Sequence, residues 1–233
     1  MLGLLTVFYE PEKLFEEVGK NGKWLLPLLA ALLTAVAITA LTVYTIDMSP
    51  AVRTELESSP RIVQALGQEK IDEIVSNANS PRQKLMSCGG ALVMSGLAVL
   101  VVAGVLFGLA QITDAGTSFK NVLAVSAYSS FAYGLVVGLG GWIVLMRLGD
   151  TSGVDMRNLV NLNPTLFLDR ASTSKALYSL ASSLDLLSFW RVFLLGLGLS
   201  KITPKMSLAK GLTLVILPWA VYVLLKVGWA AIF

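Results

Sequence analysis

The chain has 233 residues, 55% of them hydrophobic and only 14% charged, and its mean hydropathy is +0.72. A soluble protein of this size would carry about 25% charged residues, so the composition indicates an integral membrane protein and excludes an ordinary soluble domain. A formal net charge of +3 is too small to imply nucleic acid.

Histidine is absent, which removes the commonest general base and the commonest transition-metal ligand. The single cysteine, Cys88, lies in an apolar run and reads as a small buried apolar residue. The opening MLGLLTVFYEPEKLFEE has no basic n-region, and Glu10 and Pro11 break its apolar run. It does not read as a cleavable signal, so the first span is expected to act as an uncleaved anchor.

In chain order, Pro11 is a good first helical position, and Leu14, Phe15 and Val18 then fall on one face. This predicts a short helix lying on the membrane surface or packing under the bundle. The first span is 24–46, 23 residues without a charge, or about 34 Å at roughly 1.5 Å per residue. The outer segment 47–84 keeps a helical period through Ile62, Leu66, Ile71, Ile74 and Val75, which predicts a helical cap. Ser59-Pro60 is read as one helix start there, and Ser80-Pro81 as another that runs unbroken into span two. Spans two and three are 85–113 and 121–146.

The outer segment 147–183 ends in an amphipathic stretch. Leu177, Leu180, Ala181 and Leu184 recur at i, i+3, i+4 and i+7. This stretch is too short and polar to span, and is expected at the interface or folded back on the bundle. Spans four and five are 184–200 and 208–230. The fold class is therefore all-α: a single membrane domain over 1–233, a bundle of five transmembrane helices with amphipathic surface helices.

Orientation follows Lys and Arg in short loops. Lys201, Lys205 and Lys210 with no acid place the loop between spans four and five in the cytoplasm. The N-terminus is then cytoplasmic too, with Lys20 and Lys23 beside span one, and the C-terminus is outside.

Two features single out residues inside the spans. The first is a set of charges in spans four and five: Asp185, Arg191 beside Trp190, and Lys226. A charge near the bilayer centre costs about 3 kcal/mol on insertion scales, so each calls for a partner. Asp185 and Arg191 are six residues apart, about 120° around the helix, and are poor mutual partners. Pairing of Asp185 with Lys226 is therefore expected, with Arg191 snorkelling outward or meeting the outer segment. The second is a set of small-residue pairs, Gly104 with Gly108, Gly134 with Gly138, and Gly196 with Ser200. Such faces let helices approach closely, so these glycines are expected to face other helices.

Catalytic motifs are missing. There is no phosphate loop of Walker type, no Gly-x-Ser-x-Gly elbow and no intramembrane aspartate pair. Asp47, Asp114, Asp150, Asp155 and Asp169 all fall at span ends or in loops.

Several stretches resemble the Yip family, five-span membrane proteins named for interaction with Ypt/Rab GTPases in eukaryotes. They are FYEPEKLFEEV, with Pro11 and Phe15; TSFKNVLAVSAYSSF, with Phe119, Lys120 and Tyr128; SLDLLSFWRVFLLGLGLSKI; and the tail VYVLLKVGWAAIF. The chain looks most like the bacterial branch. Arg191 departs from the family pattern, which is often apolar or hydroxylic after the tryptophan. The resemblance implies five spans, a cytoplasmic N-terminus and, for eukaryotic members, membrane shaping and traffic. A bacterial cell has no Rab cycle of that kind, so that role does not transfer.

The chain is expected to be a non-enzymatic protein of the bacterial inner membrane. It would need no cofactor or metal, and would associate with membrane lipids, other membrane proteins or itself, and not with nucleic acid. The alternative is a small transporter or channel using the charges of spans four and five.

Overall fold

The structure is a computed structural model. It describes residues 3–232 apart from Ser59, Asp114, Ala115, Gly153, Asp155, Arg157, Asn158, Asn161, Arg170, Ala171 and Lys205. Asp114, Asp155, Lys205 and Ser59, named above, therefore lie outside the described residues, as does Phe233.

The described residues form eleven α-helices and one 3-10 turn: α1 (Thr6–Tyr9), α2 (Pro11–Asn21), α3 (Leu25–Thr45), α4 (Ser49–Glu57), α5 (Pro60–Leu66), α6 (Gln68–Ser76), α7 (Pro81–Ile112), α8 (Phe119–Leu148), the turn Pro164–Phe167, α9 (Lys175–Ser183), α10 (Leu186–Ile202) and α11 (Leu208–Ile232). Four of them, α3, α7, α8 and α11, are long and apolar enough to cross a membrane. A fifth crossing forms if α9 and α10, bent by 49° at their junction, are one broken span. The chain is an all-α, multi-pass membrane protein.

Two compact units can be distinguished. The first holds Met1–Leu32, Ser95–Gly134 and Asn161–Phe233, and the second Leu33–Met94 and Leu135–Val160. Helices α3, α7 and α8 contribute residues to both.

In the first unit α10 is the most enclosed helix. Val192 and the run from Leu194 to Leu199 are buried. It packs on α11 and on α2, and α9 packs on α11. Helix α2 starts at Pro11 and is closed by Gly22 at φ 60°, whose N–H reaches the Val18 carbonyl at 2.8 Å. This is the left-handed cap that glycine alone adopts without strain. Leu14, Phe15 and Val18 are buried, Phe15 completely. Of the two expected placements, the structure shows packing against other helices. Lys201 on α10 donates to Glu12 and Glu16 of α2, Asn121 on α8 donates to the Gly19 carbonyl, and Phe15 meets Tyr128 edge-to-face.

In the second unit, segment 47–84 folds as α4, α5 and α6, followed by the start of α7 at Pro81. Ala51, Ile71 and Val75 are buried there, and Arg53 ties α4 to α6 through Asp72 at 2.7 Å. Its near corner is closed by Asn79, which accepts from the Met48 N–H at 3.1 Å and donates to Asp47. Ser49 and Asn79 both donate to the Asp47 carboxylate, which holds its pKa below the usual carboxylate value.

One face is reversed relative to the sequence reading. On α9 the serines are turned inward, with Ser179 and Ser183 buried, while Leu177 and Leu180 are exposed. The i, i+3, i+4 apolar stripe does exist. A helix whose solvent is lipid can turn leucines out and hydroxyls in, the inverse of a helix at a water surface.

Candidate functional site

The junction of α9 and α10 carries the first set of polar groups. Helix α9 stops at Ser183, and Asp185 opens α10 from an extended backbone, φ −92° and ψ 135°. Its Oδ1 accepts from the N–H groups of Leu187 and Ser188, each at 3.0 Å. Helix starts leave such N–H groups without intrahelical partners, and a short carboxylate is among the best caps for them. Asp185 Oδ2 is buried and accepts no hydrogen bond. Across from it on α11, the Lys226 ammonium donates to Ser182 and Ser183 Oγ, both at 3.0 Å.

The expected Asp185–Lys226 ion pair is therefore not formed. The lysine meets the two hydroxyls just ahead of the aspartate. The local N–H groups hold the carboxylate at little entropic cost, because cap and helix belong to one stretch of chain. Asp185→Ala is expected to lower stability in detergent by about 1 kcal/mol, the usual loss for a cap, and Asp185→Asn to be nearly neutral, because asparagine caps as well. Thermal melts of Asp185→Asn with and without Lys226→Met check this. Recovery of a lost melting temperature by the second substitution would reinstate the ion pair.

Arg191 lies elsewhere. It sits ten residues before Lys201 on α10, about 15 Å along the axis and near the middle of a ~30 Å span. In place of the expected outward reach, its contacts lie on α8. Its Nη2 donates to Ser130 Oγ on α8 at 3.3 Å, and the guanidinium carbon lies 5.2 Å from the centre of the Tyr133 ring. Its Nε is buried and has no hydrogen-bond partner. Among the described residues no carboxylate pairs with it. Ser126 and Ser129 are fully buried on the same helix, and their hydroxyl oxygens are also without partners. Ser126, Ser129, Ser130 and Tyr133 stand at i, i+3, i+4 and i+7 on α8, and of these Ser130 and Tyr133 meet the α10 arginine. That spacing was open to view in the sequence, but hydroxyls in a span drew no notice beside full charges.

Trp190, next to Arg191, points to another neighbour. It stacks on Phe8 of α1 at 5.9 Å between ring centres and 28° between planes. Phe8 also meets Phe131 edge-on at 6.3 Å. The four expected cluster residues are thus divided among three environments: the α9–α10 junction for Asp185 and Lys226, the α8–α10 seam for Arg191, and the N-terminal segment for Trp190.

The glycine expectation is also corrected. A Cβ at Gly104, Gly108 or Gly134 would touch nothing within 4 Å, whereas at Gly138 it would meet Ile38 at 2.8 Å. Helix α7 buries Val99, Ala103, Leu106 and Ala110 instead, a face to which Gly104 and Gly108 do not belong. Four-residue spacing marks a low profile, but the bulk of neighbouring positions decides which profile is used. The glycines in closest contact are Gly196, Gly198 and Gly211. A Cβ at Gly211 would collide with the Gly196 carbonyl oxygen, one at Gly196 would lie 2.9 Å from the Leu212 Cα, and one at Gly198 would collide with Val125.

Among the described residues no group of three or more Cys, Asp or Glu side chains comes together as a metal site would require. The polar seam of α8 and α10 can donate hydrogen bonds, and it holds one fixed positive charge. It has no nucleophile paired with a base, the arrangement that nucleophilic catalysis needs.

Residues 5–230 match the family model of the Yip1 domain. Neither a curated protein nor a solved structure is similar enough to match the chain. The family model covers nearly the whole sequence, and the apolar helices are those of a multi-pass membrane protein, so the chain belongs to the Yip1 domain family.

Proposed function

We propose that this is a non-enzymatic protein of the bacterial inner membrane that works by associating with lipids or with other membrane proteins, a second copy of itself included. Residues 1–233 act as one membrane domain, with the N-terminus in the cytoplasm. The family match carries the membrane role. Support for association comes from the outward surface of the long helices. Helix α3 buries only Pro27 and Ala31, and Leu224, Leu225 and Trp229 of α11 are each at least 67% exposed. Such surfaces are at rest only against acyl chains or another apolar helix. Lys201 and Lys210, which flank the link between α10 and α11, support the cytoplasmic side for that link and for α2 beside it.

Crosslinking in intact membranes, followed by mass spectrometry of the detergent-purified protein, tests this reading. A reproducible set of bound lipids or partner proteins is the expected result. A strictly monomeric species that retains no lipid and captures no partner would refute it.

One observation favours a second reading, a small transporter or channel: Arg191 is a charge held at mid-span depth. Solute movement in proteoliposomes that disappears in Arg191→Gln would establish that reading in place of the first.

A further inference from the structure

Helix α2, the start of the first span and α8 enclose a cavity of about 120 Å³. Leu14, Glu17 and Val18 stand at i, i+3 and i+4 on α2 and form one wall. The chain then turns through Gly22 at φ 60°, and Lys23 and Leu26 line the same cavity from the far side of that turn. Tyr128 of α8 completes it. Leu14, Val18 and Tyr128 are buried, while Lys23 and Leu26 are exposed and form the mouth.

One carboxylate and one ammonium thus line a single small opening. Among the described residues Lys23 makes no ion pair, with Glu17 or with any other acid. The cavity has room for about four waters at ~30 Å³ each, well short of the roughly 300 Å³ of a small cofactor site. It therefore fits the polar tip of a ligand, a group of a few heavy atoms. The mouth lies at the edge of the lipid. Trp24 follows Lys23, and such aromatic residues at a span end mark the headgroup level. Leu26 and Leu29, one turn apart on α3, are exposed and lead away from the mouth, a track for an acyl chain.

The charges select the tip. A purely anionic headgroup would suit Lys23 but be opposed by Glu17. A choline group has no N–H to give a carboxylate. A primary ammonium joined to a phosphate by two carbons satisfies both ends. It donates to Glu17 beside the Tyr128 ring, and its phosphate accepts from Lys23. A carboxylate accepts from several donors at once, so other contacts of Glu17 do not prevent this.

We propose that this cavity is a headgroup site for a phospholipid of the phosphatidylethanolamine class. The ammonium enters toward Glu17, the phosphate stays at the mouth on Lys23, and an acyl chain follows Leu26 and Leu29. The site rests on the lipid-association reading above and gives that reading a headgroup.

Native mass spectrometry of the purified full chain tests it, with dioleoyl phosphatidylethanolamine, phosphatidylcholine and phosphatidylglycerol titrated separately in detergent. The ethanolamine lipid should half-saturate at about a tenfold lower concentration than either other lipid, the value of one charge-assisted hydrogen bond. Glu17→Gln should bring the ethanolamine and choline lipids within about twofold of each other, because only the ammonium contact is lost. Lys23→Gln should weaken both by about threefold and keep their ratio, because both carry the phosphate. Soluble phosphoethanolamine, which has no acyl chain, should need at least about a hundredfold higher concentration to compete.

Equal half-saturation by the three lipids overturns the site but leaves the association reading standing, since that reading asks only that some lipid or partner be retained. Retention of neither refutes both. An ethanolamine preference unchanged in Glu17→Gln places the selectivity elsewhere. Phosphoethanolamine competing as well as the lipid would make the ligand a soluble one and remove the acyl track. If Glu17→Gln does not fold, the exposed Lys23 decides: unchanged binding of both zwitterionic lipids in Lys23→Gln removes the cavity from the site.

Discussion

Gly211→Val is expected to be the most damaging single substitution in the α10–α11 contact, costing at least about 3 kcal/mol and giving little folded protein in detergent. A Cβ at Gly211 would fall on the Gly196 carbonyl oxygen and within 3.3 Å of the Ser200 nitrogen. Both are backbone atoms of α10, so no side chain can swing aside to relieve the clash. Gly196 answers from the other helix, where its own Cβ would lie 2.9 Å from the Leu212 Cα. The two backbones touch, and a branched side chain at either position would force them apart along their length. Gly104→Val is the matched control. Nothing lies within 4 Å of a Cβ there, so its melting temperature should stay near that of the wild type. Equal losses in the two variants would mean that glycine content, and not this crossing, governs stability.

Phe15→Ala should come next, with a loss of about 3 kcal/mol from transfer and cavity terms combined. Phe15 is fully buried between α2 and the Tyr128 ring, 6.4 Å from it and nearly perpendicular. The loss should be local. Helix α2 is held by Leu14, Phe15 and Val18 and by the Lys201 contacts with Glu12 and Glu16. Those ion pairs are largely exposed on the acidic side and contribute little by themselves. Limited proteolysis gives the readout. Cleavage near Lys13 and Lys20 should speed up in Phe15→Ala while α10 and α11 stay protected. A variant cut no faster than the wild type would show that α2 does not depend on this ring.

Architecture was open to view in the sequence because lipid imposes one strong rule. A chain crossing hydrocarbon must satisfy its own backbone, so long uncharged runs become helices. The expected run 24–46 and helix α3 at Leu25–Thr45 differ by one residue at either end. Helix α2 was equally plain, since Pro11 and the Leu14–Phe15–Val18 face agree. The polar site was harder to read. Whether Asp185 meets Lys226 or its own helix start depends on the 49° bend between α9 and α10, and periodicity carries no such information. Arg191 was visible as a charge, but its seam depends on which α8 face turns toward α10. The inward serines of α9 went unseen because the stripe was read with water as the outside.

The pinning of α2 has a consequence for synthesis. Lys201 and Glu12 are 189 residues apart, and Gly19 lies against the backbone of Lys201 and Ile202. Helix α2 therefore meets α8 first, through Asn121 and Tyr128, and gains its contacts with α10 only when the penultimate helix has been inserted. Until then the face of Leu14, Phe15 and Val18 is only partly covered, and the nascent chain carries an amphipathic end through much of elongation. Contacts of such high order are slow to close and open to wrong partners. Assembly of this protein thus finishes by bringing its beginning to its end, and a chain truncated before α10 would retain its insertion signals while losing the place where α2 comes to rest.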